Sequence, residues 1–74
     1  MLLTVKCYAT LSVYQPPGGK MEVEEGARVS DILQQLGLPL DQVKVVFVNG
    51  RHSAVEQPLA EGDRIAVFPA VGGG

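Results

Sequence analysis

One histidine, one cysteine and no tryptophan stand in a chain of 74 residues, and each shortage removes a class of function. The lone Cys7 has no partner for an internal disulfide. With His52 the only other soft donor, a four-ligand structural zinc site has no ligand set. Basic clusters are missing too: Lys6, Lys20, Arg28, Lys44, Arg51 and Arg64 are scattered singly, and the formal charge is −2. That balance argues against nucleic acid as a partner. No apolar run approaches membrane-spanning length, so no membrane role is expected. The opening "MLLTVKCY" has neither the basic stretch nor the cleavage site of a signal peptide. A free cysteine without an export signal fits a reducing cytoplasm.

Catalytic side chains are equally scarce. His52 lies one residue beyond a turn and reads as a solvated loop residue, with nothing around it to make it a general base. Cys7 alternates with Leu3 and Val5 and reads as a small buried hydrophobe. "NGR" and "GDR" read as turns, since neither opens a helix as a phosphate loop must. Glu22, Glu24 and Glu25 read as a solvated strand face, with an acidic patch for a basic partner as the alternative. The chain is therefore not expected to be an enzyme in its own right, nor to bind a cofactor of its own. A chain of this length buries only about 60% of its unfolded surface. It is expected to form one domain over residues 1–74, with a regular apolar core.

What the sequence does hold is periodicity. "LLTVKCY" alternates apolar and polar residues and predicts a strand over 2–8. The Pro and Gly pairs of "ATLSVYQPPGG" mark a loop, and "KMEVEE" gives a second strand near 20–24. Val29, Ile32, Leu33 and Leu36 follow the i, i+3, i+4, i+7 spacing of an amphipathic helix over 29–36. Ser30 and Asp31 suit its first turn, and Gly37 with Pro39 suits its end. "VKVVFV" (43–48) is a strand closed by the hairpin pair Asn49-Gly50, with a short strand possible in "RHSAV". "RIAVF" (64–68) is the last strand, and Pro69 stops it. The order β-β-α-β-(β)-β has a single helix, which covers one face of a sheet and leaves the other to solvent or a partner.

Period-two alternation sorts the two best strands into faces. Taking Lys44 and Arg64 as markers of the solvent side puts Val46, Val48, Ala66 and Phe68 on that side with them. This is more apolar than a solvated face needs, and it reads as a protein interface anchored by Phe68. The ordinary alternative is that Val and Phe are simply good strand formers.

The remaining feature is the ending "VFPAVGGG". Glycine has no Cβ and adopts any φ, so a glycine thread can enter a narrow active site. From Ala70 to Gly74, five residues at about 3.3–3.6 Å each reach at most roughly 16–18 Å. A terminal carboxylate is inert as it stands, but joined to AMP it becomes a mixed anhydride open to sulfide, thiol or amine.

Three stretches, "EEGARVSDILQQL", "VFVNG" and "PLAEGDRIAVFPAVGGG", resemble the ubiquitin-like β-grasp sulfur carriers. That family includes the small subunit of molybdopterin synthase and the carrier of the thiamine pathway. The resemblance implies an α+β, β-grasp fold: a mixed four- to five-stranded sheet with one main helix on one face and a flexible tail over 70–74. It implies an E1-like adenylyltransferase that uses ATP to activate the Gly74 carboxylate, a sulfur donor that makes it a thiocarboxylate, and a sulfur-accepting synthase subunit. Gly72 and Gly73 would then serve tail recognition, and Phe68, Pro69 and Val71 would line the approach to the partner. The molybdopterin or tungstopterin pathway is the expected one. A thiamine-pathway carrier, or a protein modifier joined through Gly74 to lysine amines, is the alternative. The chain departs from the family's two-glycine ending by a third glycine, Gly72, and "ATLSVYQPPGG" lacks the charged short helix of the molybdopterin synthase subunit.

Overall fold

A computed structural model describes residues 1–70. Five strands form one sheet in the order β2-β1-β5-β3-β4: β1 Leu2–Cys7, β2 Lys20–Glu22, β3 Val43–Val48, β4 Arg51–Ser53 and β5 Arg64–Pro69. The first and last strands lie side by side and parallel, Val5 opposite Ile65, while every other pairing is antiparallel. The helix α1, Val29–Gln35, stands between β2 and β3 in the chain. A mixed sheet with one main helix is the expected β-grasp architecture, and the structure has it.

Each element follows from its residues. Leu3, Val5 and Cys7 alternate into the core, where they meet Ile65 and Val67 of β5 and Val29, Ile32 and Leu33 of α1. The Asp31 carboxylate accepts a 2.8 Å hydrogen bond from the Arg28 N–H, which fixes the entry to α1. The Val29 and Ser30 amides, unpaired within the helix, donate instead to the Gln57 and Val55 carbonyls at 3.0 and 2.8 Å. The segment before β5 thereby ties itself to the start of α1. At the other end, Gly37 takes φ +73°, and Leu38 N–H donates back to the Leu33 carbonyl at 3.0 Å. This is a Schellman stop, with Leu38 buried against the core.

Two expectations need correction. The segment after β1, expected as a loop, is a 3₁₀ helix over Ala9–Tyr14 followed by a second 3₁₀ turn over Pro17–Gly19. It also supplies the fully buried Leu11 to the core. The second correction concerns the faces of β3. Val43 pairs with Pro69 but Val45 pairs with Phe68, so the chain advances two residues on β3 for one on β5. Lys44 is the extra residue of a β-bulge. Beyond it the alternation is reversed relative to what Lys44 predicts, and Val46 and Val48 point into the core, 3% and 4% exposed. Their assignment to the outer face is overturned. Val45 and Phe47 occupy that face instead, each partly exposed.

Candidate functional site

The face of the sheet opposite α1 carries a row of four aromatic rings, from the end of β1 across β5 and β3 to β4. Tyr8, just beyond β1, stacks on Phe68 of β5 with ring centroids 4.4 Å apart and planes 6° from parallel. Phe68 meets Phe47 of β3 edge to face at 5.7 Å, and Phe47 meets His52 of β4 in the same way at 5.9 Å. Register explains the row. Phe47 lies opposite Ala66 on one side and His52 on the other, and Phe68 lies opposite Val45. Ala66, the small residue among them, leaves a depression of about 380 Å³ walled by Tyr8, Phe47 and Phe68 and edged by Lys6 and Arg64. A depression apolar at its floor with charge at its border has the make-up of a protein-interface patch.

Cations sit on the same face, Lys6 and Arg64 at the edge of the ringed depression and Lys20 beyond it. Thr4 is opposite both Lys20 and Arg64, and the Lys20 ammonium donates to the Thr4 hydroxyl at 3.3 Å. The Lys6 ammonium lies 5.7 Å from the centre of the Tyr8 ring, within cation–π range.

Of the residues expected at an interface, Ala66 and Phe68 lie on this face, and Pro69 is half-buried opposite Val43 at its end. Val46 and Val48 are in the core, as described. Val71, Gly72, Gly73 and Gly74 lie outside the described residues. The Ala70 amide donates to the Gln42 carbonyl at 3.1 Å, so the backbone is held to the sheet up to this point. His52 belongs to the strand β4 and to the aromatic row, not to a loop. Cys7 is buried, and burial pushes its thiol above the ordinary value, which disfavours the thiolate.

Tyr8, Val45 and Phe47 are the residues that sequence reasoning missed. Tyr8 shares the parity of Thr4 and Lys6 and was legible as an outward aromatic. Phe47 was not, because the bulge at Lys44 leaves no mark in the local pattern. Among the described residues no helix is long and apolar enough to cross a membrane.

Comparison with known proteins bears on what this face and the glycine ending belong to. No curated protein sequence matches the chain. Among solved structures it is similar to SAMP1 from Haloferax volcanii, with 27% identity and a TM-score of 0.76 over 100% of both chains. It is similar to a putative molybdopterin converting factor, subunit 1, from Pyrococcus furiosus, with 28% identity and a TM-score of 0.72 over 96% of this chain and 99% of that one. A second Haloferax volcanii structure, of small archaeal modifier protein 1, is 26% identical with a TM-score of 0.73, covering 95% of this chain and 98% of that one. The model of the ThiS family matches residues 6–74, from within β1 through the glycines. The chain therefore belongs to the ThiS family, of small ubiquitin-like carriers of sulfur or modifiers of proteins built on the β-grasp fold.

Proposed function

We propose that this protein carries sulfur on the carboxylate of Gly74 in the biosynthesis of a molybdopterin or tungstopterin cofactor. An E1-like adenylyltransferase brings ATP; the Gly74 carboxylate attacks the α-phosphorus and releases pyrophosphate. Hydrosulfide then attacks the acyl carbon and displaces AMP, or a persulfide does so and a second thiol cleaves the S–S bond, leaving donor and thiol as a disulfide. The products are the thiocarboxylate and AMP. A synthase subunit accepts the sulfur. The chain itself brings no cofactor and no catalytic side chain to these steps. It provides the thread over Gly72–Gly74 and a docking face formed by Phe68, Ala66, Pro69 and the rings beside them.

The observation that carries this reading is that the family match continues through Gly74. Glycine fits the role because a thread without Cβ atoms enters a channel that any side chain would block. The experiment is intact-protein mass spectrometry after incubation with an E1-like adenylyltransferase, ATP and a sulfur source. The expected result is the mass gain of one oxygen replaced by sulfur, confined to the C-terminal peptide and absent when Gly73 and Gly74 are deleted. Absence of that gain with every E1-like enzyme of the source organism would sink the proposal.

Similarity to small archaeal modifier protein 1 favours a second reading, in which a lysine amine attacks the same adenylate and forms an isopeptide bond. It predicts a ladder of conjugates in cell extract, lost with Gly74. A thiamine-pathway carrier is the third, and differs only in the acceptor of the sulfur.

A further inference from the structure

Lys20 and Arg64 are offset along the strands from the stacked pair Tyr8 and Phe68, and the offset has a direction. Tyr8, Phe68 and Val45 occupy the end where Ala70 leaves the sheet; one step back, Lys6, Ala66, Phe47 and His52 share a level, with Lys6 against the Tyr8 ring; Lys20 and Arg64 lie a further step back, flanking Thr4. From Phe68 to Arg64 the strand rises about 13 Å, four residues at about 3.3 Å each. Among the described strand residues of this face, Glu22 is the single acid. The carboxylates of Glu24, Glu25 and Asp31 gather around a cleft beside α1 instead. A chain of net charge −2 thus presents a band of Lys6, Lys20 and Arg64 on this face with Glu22 beside them, while three of its eight acids gather at the cleft by α1.

We infer that the protein that docks on this face has a two-part surface: an apolar socket for Phe68 and Tyr8 beside the channel that takes the tail, and a cluster of carboxylates about 13 Å away on the far side from that channel. This rests on the proposed carrier function and names the chemistry of its partner. Charge complementarity argues for it. Lys20 and Arg64, at the end away from Phe68, meet opposite charge in the orientation that delivers Ala70 to the channel mouth. In the reversed orientation Phe68 and Tyr8 would face carboxylates, and the cations would face the socket, which leaves both desolvated without partners. The acids beside α1 repel the same partner from the wrong side of the molecule. The cationic band therefore sets orientation and encounter rate, and the rings hold the complex.

The test uses the full chain with its E1-like adenylyltransferase and reads ATP–pyrophosphate exchange at low and high salt. Lys6→Glu, Lys20→Glu and Arg64→Glu are compared with Arg51→Glu, which reverses a cation opposite Val48, outside the band. The three band variants combined should lower kcat/KM about tenfold or more at low salt, with the difference shrinking at high salt. Arg51→Glu should leave it near the wild-type value, and thermal unfolding should show all variants folded. Exchange by the wild type with equal losses in Arg51→Glu and the band variants, or with no salt dependence, overturns the inference while leaving the carrier reading intact. No exchange by the wild type overturns the carrier reading itself. A concentration-dependent dimer abolished by Phe68→Ala would mean that a second copy of this chain covers the face, and would overturn the inference as well.

Discussion

At Val45 and Val46 two neighbouring residues of the same type have opposite fates. Val46 is buried opposite Val67, whereas Val45 lies on the open face opposite Phe68. A carboxylate at the first position has no hydrogen-bond partner and no solvent, so Val46→Asp should cost several kcal/mol and unfold a domain this small. Val45→Asp should stay folded, losing about 1 kcal/mol or less, because its side chain reaches water. It should nonetheless weaken association with the activating enzyme, since it places an acid beside Phe68. Circular dichroism and urea unfolding of the two variants separate these outcomes. Equal destabilisation would mean that the bulge at Lys44 is wrongly located. The same bulge explains why the face was only half legible from the sequence. Arg64 marks the outer face of β5 correctly, because no irregularity follows it. Lys44 marks nothing, because it is itself the residue that falls out of register.

Among the elements, α1 was the most legible, since a 3.6-residue period, an acidic first turn and a glycine stop all agree over Val29–Gln35. The 3₁₀ helix over Ala9–Tyr14 was hidden because so short and tight a helix leaves no periodic signature, and the proline and glycine pairs beside it read as loop. The adjacency of β1 and β5 was hidden for a different reason: parallel pairing of the first and last strands is a non-local choice that no window of sequence contains. What fixes β5 in place is a clamp between two turns. Asn49, at φ +53° in the β3–β4 hairpin, donates from Nδ2 to Asp63 at 2.9 Å and accepts at Oδ1 from the Arg64 N–H at 3.0 Å. Asp63 accepts in addition from the Ala60 N–H at 2.8 Å. Asn49 also tolerates the left-handed backbone that alanine does not. Asn49→Ala should therefore cost about 2 kcal/mol, and Asp63→Ala about 1–2 kcal/mol. The double variant should cost less than their sum by about 0.5–1 kcal/mol, as expected for a shared hydrogen bond. Additive losses in urea titration would mean that the two turns are held independently.

For the molecule as a whole, the described contacts run as far as Ala70. The hydrogen bond that its N–H donates to the Gln42 carbonyl is the last backbone contact of the described chain, and the buried core ends earlier, at Val67. The parallel pair β1–β5 lies at the centre of the sheet, so the strand that leads to the glycines is also the strand on which the fold closes. In the proposed carrier role, a strand paired on both sides gives the residues that follow it a fixed point of attachment. Stability and activation should then respond separately to change along one short stretch of chain. Deleting residues 71–74 removes no described contact and should shift the unfolding free energy by no more than about 0.5 kcal/mol while abolishing adenylation. Phe68→Ala removes the stack on Tyr8 and the edge contact with Phe47, each worth about 0.5–1.5 kcal/mol, and should lower both stability and activation. Ala66→Leu fills the depression between the rings from a half-exposed position and should spare the fold while blocking the partner. Measured side by side, unfolding midpoints and ATP–pyrophosphate exchange should fall into these three patterns. A tail deletion that destabilised the sheet as much as Phe68→Ala would place the boundary beyond Ala70 and undo the separation.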